Sequence, residues 1–473
     1  MRHRDVTPTQ RQGQTLAAVA RLVIVAVVLT LVVELPRADA KLTGTTVNGS
    51  NTWSIATLSA PDPLTCAWTG TNSLSLAWTN TSGTLPAGYT YERSNSSGSG
   101  YATLGTTSGS GSVTATDSNP SPPTLRYYRV TTTNGSWSSA YTAVSPSNTC
   151  NGTITSLYAS GTVSGPFGVA VDTSGNVYTS DTNNARVIKT TPGGTTTTYA
   201  GTGVAGYSGD GGAATSAKLD NPLGLAFDSS GNLYIADNNN ERVRKVTTGG
   251  TISTYAGTGT AGYSGDTGAA TAAKLSGPVA VTFDSSDNLY IADNSNNRIR
   301  KVTSGGTIST FAGTGTAGYS GDGAAATSAK LDAPYGVVAD SAGVVYISDT
   351  NNDVIRKVTT GGVISTVAGG GGSSACSFSG TATSVSLNGP RRLAYDSSTG
   401  RVFIADRFNQ CVRALSGTSI SRIAGTGTTG YSGDNGPAVA ATLSDPSALA
   451  FSSAGDLYIA DTSNDVVRKV LQV

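Results

Sequence analysis

From residue 153 onward, short apolar runs alternate with polar, glycine-rich turns. Between residues 222 and 256 the runs are Pro222-Leu-Gly-Leu-Ala-Phe-Asp228, Leu233-Tyr-Ile-Ala-Asp237, Arg242-Val-Arg-Lys-Val246 and Thr251-Ile-Ser-Thr-Tyr-Ala256. Each has five to seven residues, the length of a strand and too short for a stable helix. The breaks between them, Ser229-Ser-Gly-Asn232, Asn238-Asn-Asn240 and Gly249-Gly250, are turn sequences. The pattern predicts four antiparallel strands, the anatomy of a propeller blade.

The unit recurs. Its second strand ends at Asp181, Asp237, Asp293, Asp349, Asp406 and Asp461, at intervals of 56, 56, 56, 57 and 55 residues. A fixed period of this size marks stacked supersecondary units, here six blades. The sixth stops at Val470-Leu-Gln-Val473, where its fourth strand should begin, while Thr153-Ile-Thr-Ser-Leu-Tyr-Ala159 matches that missing strand. Strand 153–159 is therefore expected to close residues 153–473 into a ring, which removes open strand edges.

These residues resemble NHL repeats. The linker Ala256-Gly-Thr-Gly-Thr-Ala-Gly-Tyr-Ser-Gly-Asp266, followed by Ala269-Ala-Thr, is similar to the subtype found in teneurins and many bacterial surface proteins, and Asp434-Asn-Gly-Pro-Ala438 approaches its Gly-Pro-Ala pattern. The resemblance implies a six-bladed β-propeller. It leaves function open, because such propellers bind proteins or RNA, and some relatives are enzymes.

Upstream, residues 60–150 read as a small β-sandwich. Leu74-Ser-Leu-Ala-Trp78 alternates as a half-buried strand, with Trp78 a candidate core residue. The run Leu125-Arg-Tyr-Tyr-Arg-Val-Thr-Thr-Thr-Asn-Gly135 resembles two strands of a fibronectin type III domain, with a generic immunoglobulin-like sandwich as the alternative. The fold expected is thus all-β: a sandwich at 60–150, a propeller at 153–473 and a linker at 41–59. Residues 1–40 read as an export signal. Arg2, Arg4, Arg11 and Arg21 precede the apolar run Leu22–Val33, and Ala38-Asp39-Ala40 offers a cleavage site. A retained anchor is the alternative, and the only route by which a membrane becomes a partner. The expected location is secreted or at the cell surface.

Composition narrows the chemistry. Charged residues make up 12% of the 473 and the formal charge is +1; removing residues 1–40 takes five Lys+Arg and three Asp+Glu, leaving 25 against 26. Such a balance gives no electrostatic footprint for nucleic acid. The one histidine is His3, so the exported chain has no imidazole for Ser-His-Asp or Cys-His catalysis or for a His-ligated zinc. No cofactor or metal is expected. Cys66, Cys150, Cys376 and Cys411 form an even set in an exported chain, without C-x-x-C spacing. Two disulfides follow, and domain positions favour Cys66–Cys150 and Cys376–Cys411.

Three features are candidates for binding. Asn stands three residues after every strand-ending Asp, from Asn184 to Asn464. Turn chemistry explains six identical copies: Asp caps the turn and Asn takes a left-handed conformation. Tyr-Ser-Gly-Asp occurs four times, giving Tyr207 and Asp210, Tyr263 and Asp266, Tyr319 and Asp322, Tyr431 and Asp434. These serve either glycan contact or blade packing with Tyr buried, and alternation places them on the face of the Asp-x-x-Asn turns. Blade five breaks symmetry, with Arg391 and Arg392 opening its first strand and Arg407 and Phe408 in its polar turn. Arginine and exposed aromatics are favoured at interfaces, and solvated charge is the bland alternative. The functional expectation is a non-catalytic recognition protein that presents one loop-rich propeller face to an extracellular protein or glycan. The alternative is a metal-dependent lactonase- or lyase-like propeller, against which stand Val169, Leu225, Val281, Val337, Leu393 and Leu449 at the channel positions.

Overall fold

A computed structural model describes residues 152–158, 161–372, 376 and 379–473, together with ten short strands between residues 45 and 144. The expected leader at 1–40, the side chain of Trp78 and the pairing of Cys66 with Cys150 lie outside the described residues.

From residue 153 the chain forms six antiparallel sheets. In blade two, Pro222–Phe227 pairs with Leu233–Asp237, which pairs with Arg242–Val246, which pairs with Ile252–Ala256. Blades one, three and four repeat this order, with innermost strands Pro166–Val171, Pro278–Phe283 and Pro334–Ala339. Blades five and six begin at Pro390–Asp396 and Pro446–Phe451. The ring closes where expected, although the closing strand is shorter, ending at Ser156. Thr153–Ser156 pairs antiparallel with Val466–Val470, matching Ile154 to Val470 and Ser156 to Arg468. Ile154 is fully buried.

The hairpins are set by local chemistry. The Asp228 carboxylate accepts N–H bonds from Ser230 and Asn232, and Gly231 sits at φ +79°, where a side chain would be strained. At the other end of each blade the sequence-based assignment needs correcting. The strand-ending Asp does not cap its own turn: in all six blades it accepts a backbone N–H from the segment leading into its blade, at 2.6–2.9 Å. The Asn is not left-handed either. That conformation falls on the next residue (Ala185, Glu241, Asn297, Asp353, Gln410, Asp465; φ 46–56°), while the Asn amide reaches back to the Asp and to a linker carbonyl, as Asn240 does to Asp237 and Gly206. Asp and Asn tie linker to blade.

Blades pack through aromatic edges. Tyr178 meets Phe227 of the following blade at 4.9 Å between centroids, Tyr234 meets Phe283 at 4.7 Å, and Phe403 meets Phe451 at 4.8 Å, all edge to face. Such pairs add about 0.5–1.5 kcal/mol each beyond their burial. The long linkers run around the outside of the blade they lead into. Bridges Ala213–Thr251, Ala269–Thr307 and Ala325–Val363 cover outer strands, and in blades five and six the cover becomes a fifth strand, Ser379–Thr381 and Gly436–Pro437. Every blade from two to six thus has a protected edge.

Upstream, the hairpin Thr45–Asn48 with Asn51–Ser54 stands by itself. Asp62–Gly70, Ser73–Thr79 and Ser112–Asp117 form one antiparallel sheet, and Ala102–Thr107, Gly88–Ser94, Tyr127–Asn134 and Thr142–Val144 lie in that order in a second, whose fifth strand, Trp137–Ser138, also pairs with Tyr127–Asn134.

Candidate functional site

The Tyr-Ser-Gly-Asp linkers start beside the Asp-x-x-Asn turn, where the Asn240 amide donates to the Gly206 carbonyl, and run down the outer edge of the blade they lead into. Asp210 accepts from the backbone N–H of Thr254 in the outermost strand and, at 2.5 Å, from Nη2 of Arg244. Arg244 is fully buried and also donates to Asp237 at 3.2 Å and to the carbonyl of Ser208. The set repeats as Arg300 with Asp266 and Asp293, Arg356 with Asp322 and Asp349, and Arg468 with Asp434 and Asp461. Burial alone would raise the Asp210 carboxyl, yet bonds from Thr254, Arg244 and Tyr207 hold it below the usual value.

The tyrosines are not buried, contrary to the packing expectation. Tyr207, Tyr263, Tyr319 and Tyr431 are 41–53% exposed, because each ring lies flat on the blade edge. Tyr207 stacks 3.8 Å beneath the Arg242 guanidinium and donates its hydroxyl hydrogen to Asp210. At the seam, Tyr431 and Asp434 engage the hydroxyl of Ser156, so the closing strand serves as an ordinary fourth strand. These eight residues form a clamp around buried arginines. The sequence reading missed those arginines, although Arg-Lys-Val recurs in step with the linkers at Arg244, Arg300, Arg356 and Arg468.

Blade five is built differently. Its linker has no Tyr-Ser-Gly-Asp; instead Cys376 is bonded to Cys411, which opens the third strand. Arg413 keeps the inner bond, Nε to Asp406 at 2.7 Å. The disulfide encloses 35 residues, so its reduction, or Cys376→Ser with Cys411→Ser, is expected to remove up to about 3–4 kcal/mol. Denaturation midpoints with and without reductant would measure this.

The structure separates the four blade-five candidates. Phe408 is 52% exposed at the turn where other blades have Asn183, Asn239, Ser295, Asn351 and Ser463, and Arg407 stacks 4.2 Å over its ring while pairing with Asp445. Arg391 and Arg392 are not solvated charges. Both are 6% exposed and turn into the channel mouth, because they stand on the innermost strand.

Lower down, the six innermost strands enclose a cavity of about 400 Å³, lined by Val169, Leu225, Val281, Val337, Leu393 and Leu449 among others. A catalytic metal in such a channel needs oxygen or imidazole donors. The six side chains here are hydrocarbon and the charged lining residue is Arg392, so the donor set does not fit a cation. Among the described residues no group of three His, Cys, Asp or Glu is placed to hold one.

Residues 203–264 and 314–377 match the Teneurin NHL domain, and residues 275–302 match the NHL repeat. Teneurin-3 of Mus musculus is 31% identical over 281 residues, 51% of this chain and 10% of that protein. The chain spans a quarter or less of the length of the curated relatives it matches. An auxiliary nutrient binding protein from Bacteroides thetaiotaomicron superposes with a TM-score of 0.50 at 12% identity, over 86% of this chain and 97% of that one. A gluconolactonase from Xanthomonas campestris superposes with a TM-score of 0.44 at 13% identity, over 67% and 88%. Solved neighbours therefore include both binding proteins and lactonase-type propellers, and the likeness extends to the fold: an all-β, six-bladed propeller with NHL-type repeats.

Proposed function

We propose that this chain is an exported, non-catalytic recognition protein whose propeller binds an extracellular protein or glycan through its loop-rich face at blade five. The observation that carries the reading is Phe408, an aromatic ring half exposed where the other blades have Asn or Ser, with Arg407 stacked on it and held by Asp445. An aromatic and an arginine fixed before contact lose little freedom on binding, which is why such pairs dominate interface energetics. Export is supported by the Arg-rich leader followed by an apolar run, and by a disulfide in the ring. We also assign residues 60–150 to a fibronectin type III-like sandwich, since a three-stranded antiparallel sheet and a second with four strands in line and a short fifth beside them suit that fold. It would act as a spacer or second contact module.

The test is binding of the purified full chain to arrays of extracellular proteins and glycans. Phe408→Asn with Arg407→Thr should weaken the principal signal by at least about tenfold, equivalent to 1.4 kcal/mol. Undiminished binding by that variant, or no binding by the wild type, would remove the blade-five face from consideration.

A further inference from the structure

At the second and third positions of the innermost strands, blade five departs from the ring. Second positions elsewhere are Phe167, Leu223, Val279, Tyr335 and Ser447; third positions are Gly168, Gly224, Ala280, Gly336 and Ala448. Blade five places Arg391 and Arg392 there. The small third residues leave the space that Arg392 fills: its Nη2 donates to the Val279 carbonyl two blades away and sits where a Cβ on Gly224 would be. Arg391 lies 4.8 Å from the Phe167 ring centroid and 5.1 Å from that of Tyr335.

Charge in this throat is unbalanced. The buried Nε of Arg392 and Nη1 of Arg391 have no hydrogen-bond partner. The neighbouring carboxylate, Asp445, stands 3.7 Å from Arg391 but is already gripped by Nε and Nη2 of Arg407. Burial pushes the Arg392 guanidinium down to about 10, and Arg391 adds to the fall. Five of the six blades close the same position with hydrogen or methyl, so the fold itself does not need a cation here. A buried charge lacking its counterion costs stability, and such costs are retained where a ligand supplies the missing partner.

We propose that the channel is a binding site for a small apolar carboxylate, its carboxyl group paired with Arg392 beside Arg391 and its hydrocarbon body in the cavity beneath. A guanidinium fork matches a carboxylate in shape and charge. The cavity of about 400 Å³ has the size of a small-molecule site, and most of its lining residues, Leu225, Val281 and Leu449 among them, carry hydrocarbon side chains. Arg392 stands at that cavity's edge with free donor capacity, which an uncharged apolar ligand would leave unused. This site is separate from Phe408 and does not depend on the loop-face reading.

The experiment is calorimetric titration of the full chain with decanoate, decanol and acetate, alongside melting curves. Decanoate should bind saturably, and decanol and acetate at least about tenfold more weakly, since each lacks one half of the recognition. Arg392→Met should weaken decanoate by at least about tenfold and, in the absence of ligand, raise the melting temperature by removing the unpaired buried cation. Val281→Phe, which narrows the cavity and leaves both arginines, should also weaken decanoate. No decanoate binding, equal binding of decanol, or undiminished decanoate binding by both variants would overturn the proposal. So would a lower melting temperature for Arg392→Met, the mark of a purely structural tie.

Discussion

Arg300→Ala is expected to cost the propeller about 3–5 kcal/mol, because it strands Asp293 as a buried charge. Arg300 is fully buried between Asp266, 2.5 Å from Nη2, and Asp293, 3.4 Å from Nη1. Asp293 keeps the Ser276 N–H and the Asn296 amide but loses its cation. Asp266 is a third exposed, so water replaces part of what it loses. The asymmetry yields a sharper expectation. Asp293→Asn combined with Arg300→Met removes both charges at similar volume and should be closer to wild type than Arg300→Ala, with a coupling of about 1–3 kcal/mol. Blade one shows that the arrangement is replaceable: Ile188 stands at the arginine position, and Asp181 is served by Arg186 at 2.7 Å instead. Denaturant midpoints of the single and double variants measure this. A loss below about 1 kcal/mol for Arg300→Ala would show that the clamp contributes no more than a surface pair.

Ile154→Asp should be at least as damaging, at about 4 kcal/mol or more, since it deletes a buried hydrocarbon and buries a charge at the seam. Ile154 is fully buried, pairs with Val470, and passes its backbone to the cover strand through Gly436. Removing residues 1–156 outright would bare one side of Val466–Val470. The expected outcome is concentration-dependent association on size-exclusion chromatography, with the lost strand replaced by a neighbouring chain. A monomeric truncation with an unchanged melting curve would mean that closure contributes little.

The ring was legible because its signals are local and repeat six times. Strand-length apolar runs, glycine at the hairpins and a fixed spacing of the strand-ending Asp all act within a dozen residues, and the seam followed from counting strands at both ends. Tertiary contacts were harder to see. Nothing near Asp237 in sequence says that its main-chain partner is Asp220, 17 residues earlier, and turn statistics pointed to its own turn instead. The arginine clamp was readable in principle. Arg244, Arg300, Arg356 and Arg468 occur in the blades whose linkers carry Tyr-Ser-Gly-Asp, and blade one, which lacks that linker, has Ile188. The burial of Arg391 and Arg392 was not readable, because it rests on glycines in other blades, of which Gly224 lies 168 residues away.

Because the first and last strands of the ring are hydrogen-bonded neighbours, whatever precedes residue 152 hangs the whole disc from Thr153–Ser156. That strand is held on one flank by Val466–Val470 and on the other by Gly436–Pro437. A pull along it loads both ladders in shear, the direction in which many bonds must yield together. Blade six is then the first to yield, and once Thr153–Ser156 peels away the load passes along the chain to Pro166–Val171, the innermost strand of blade one.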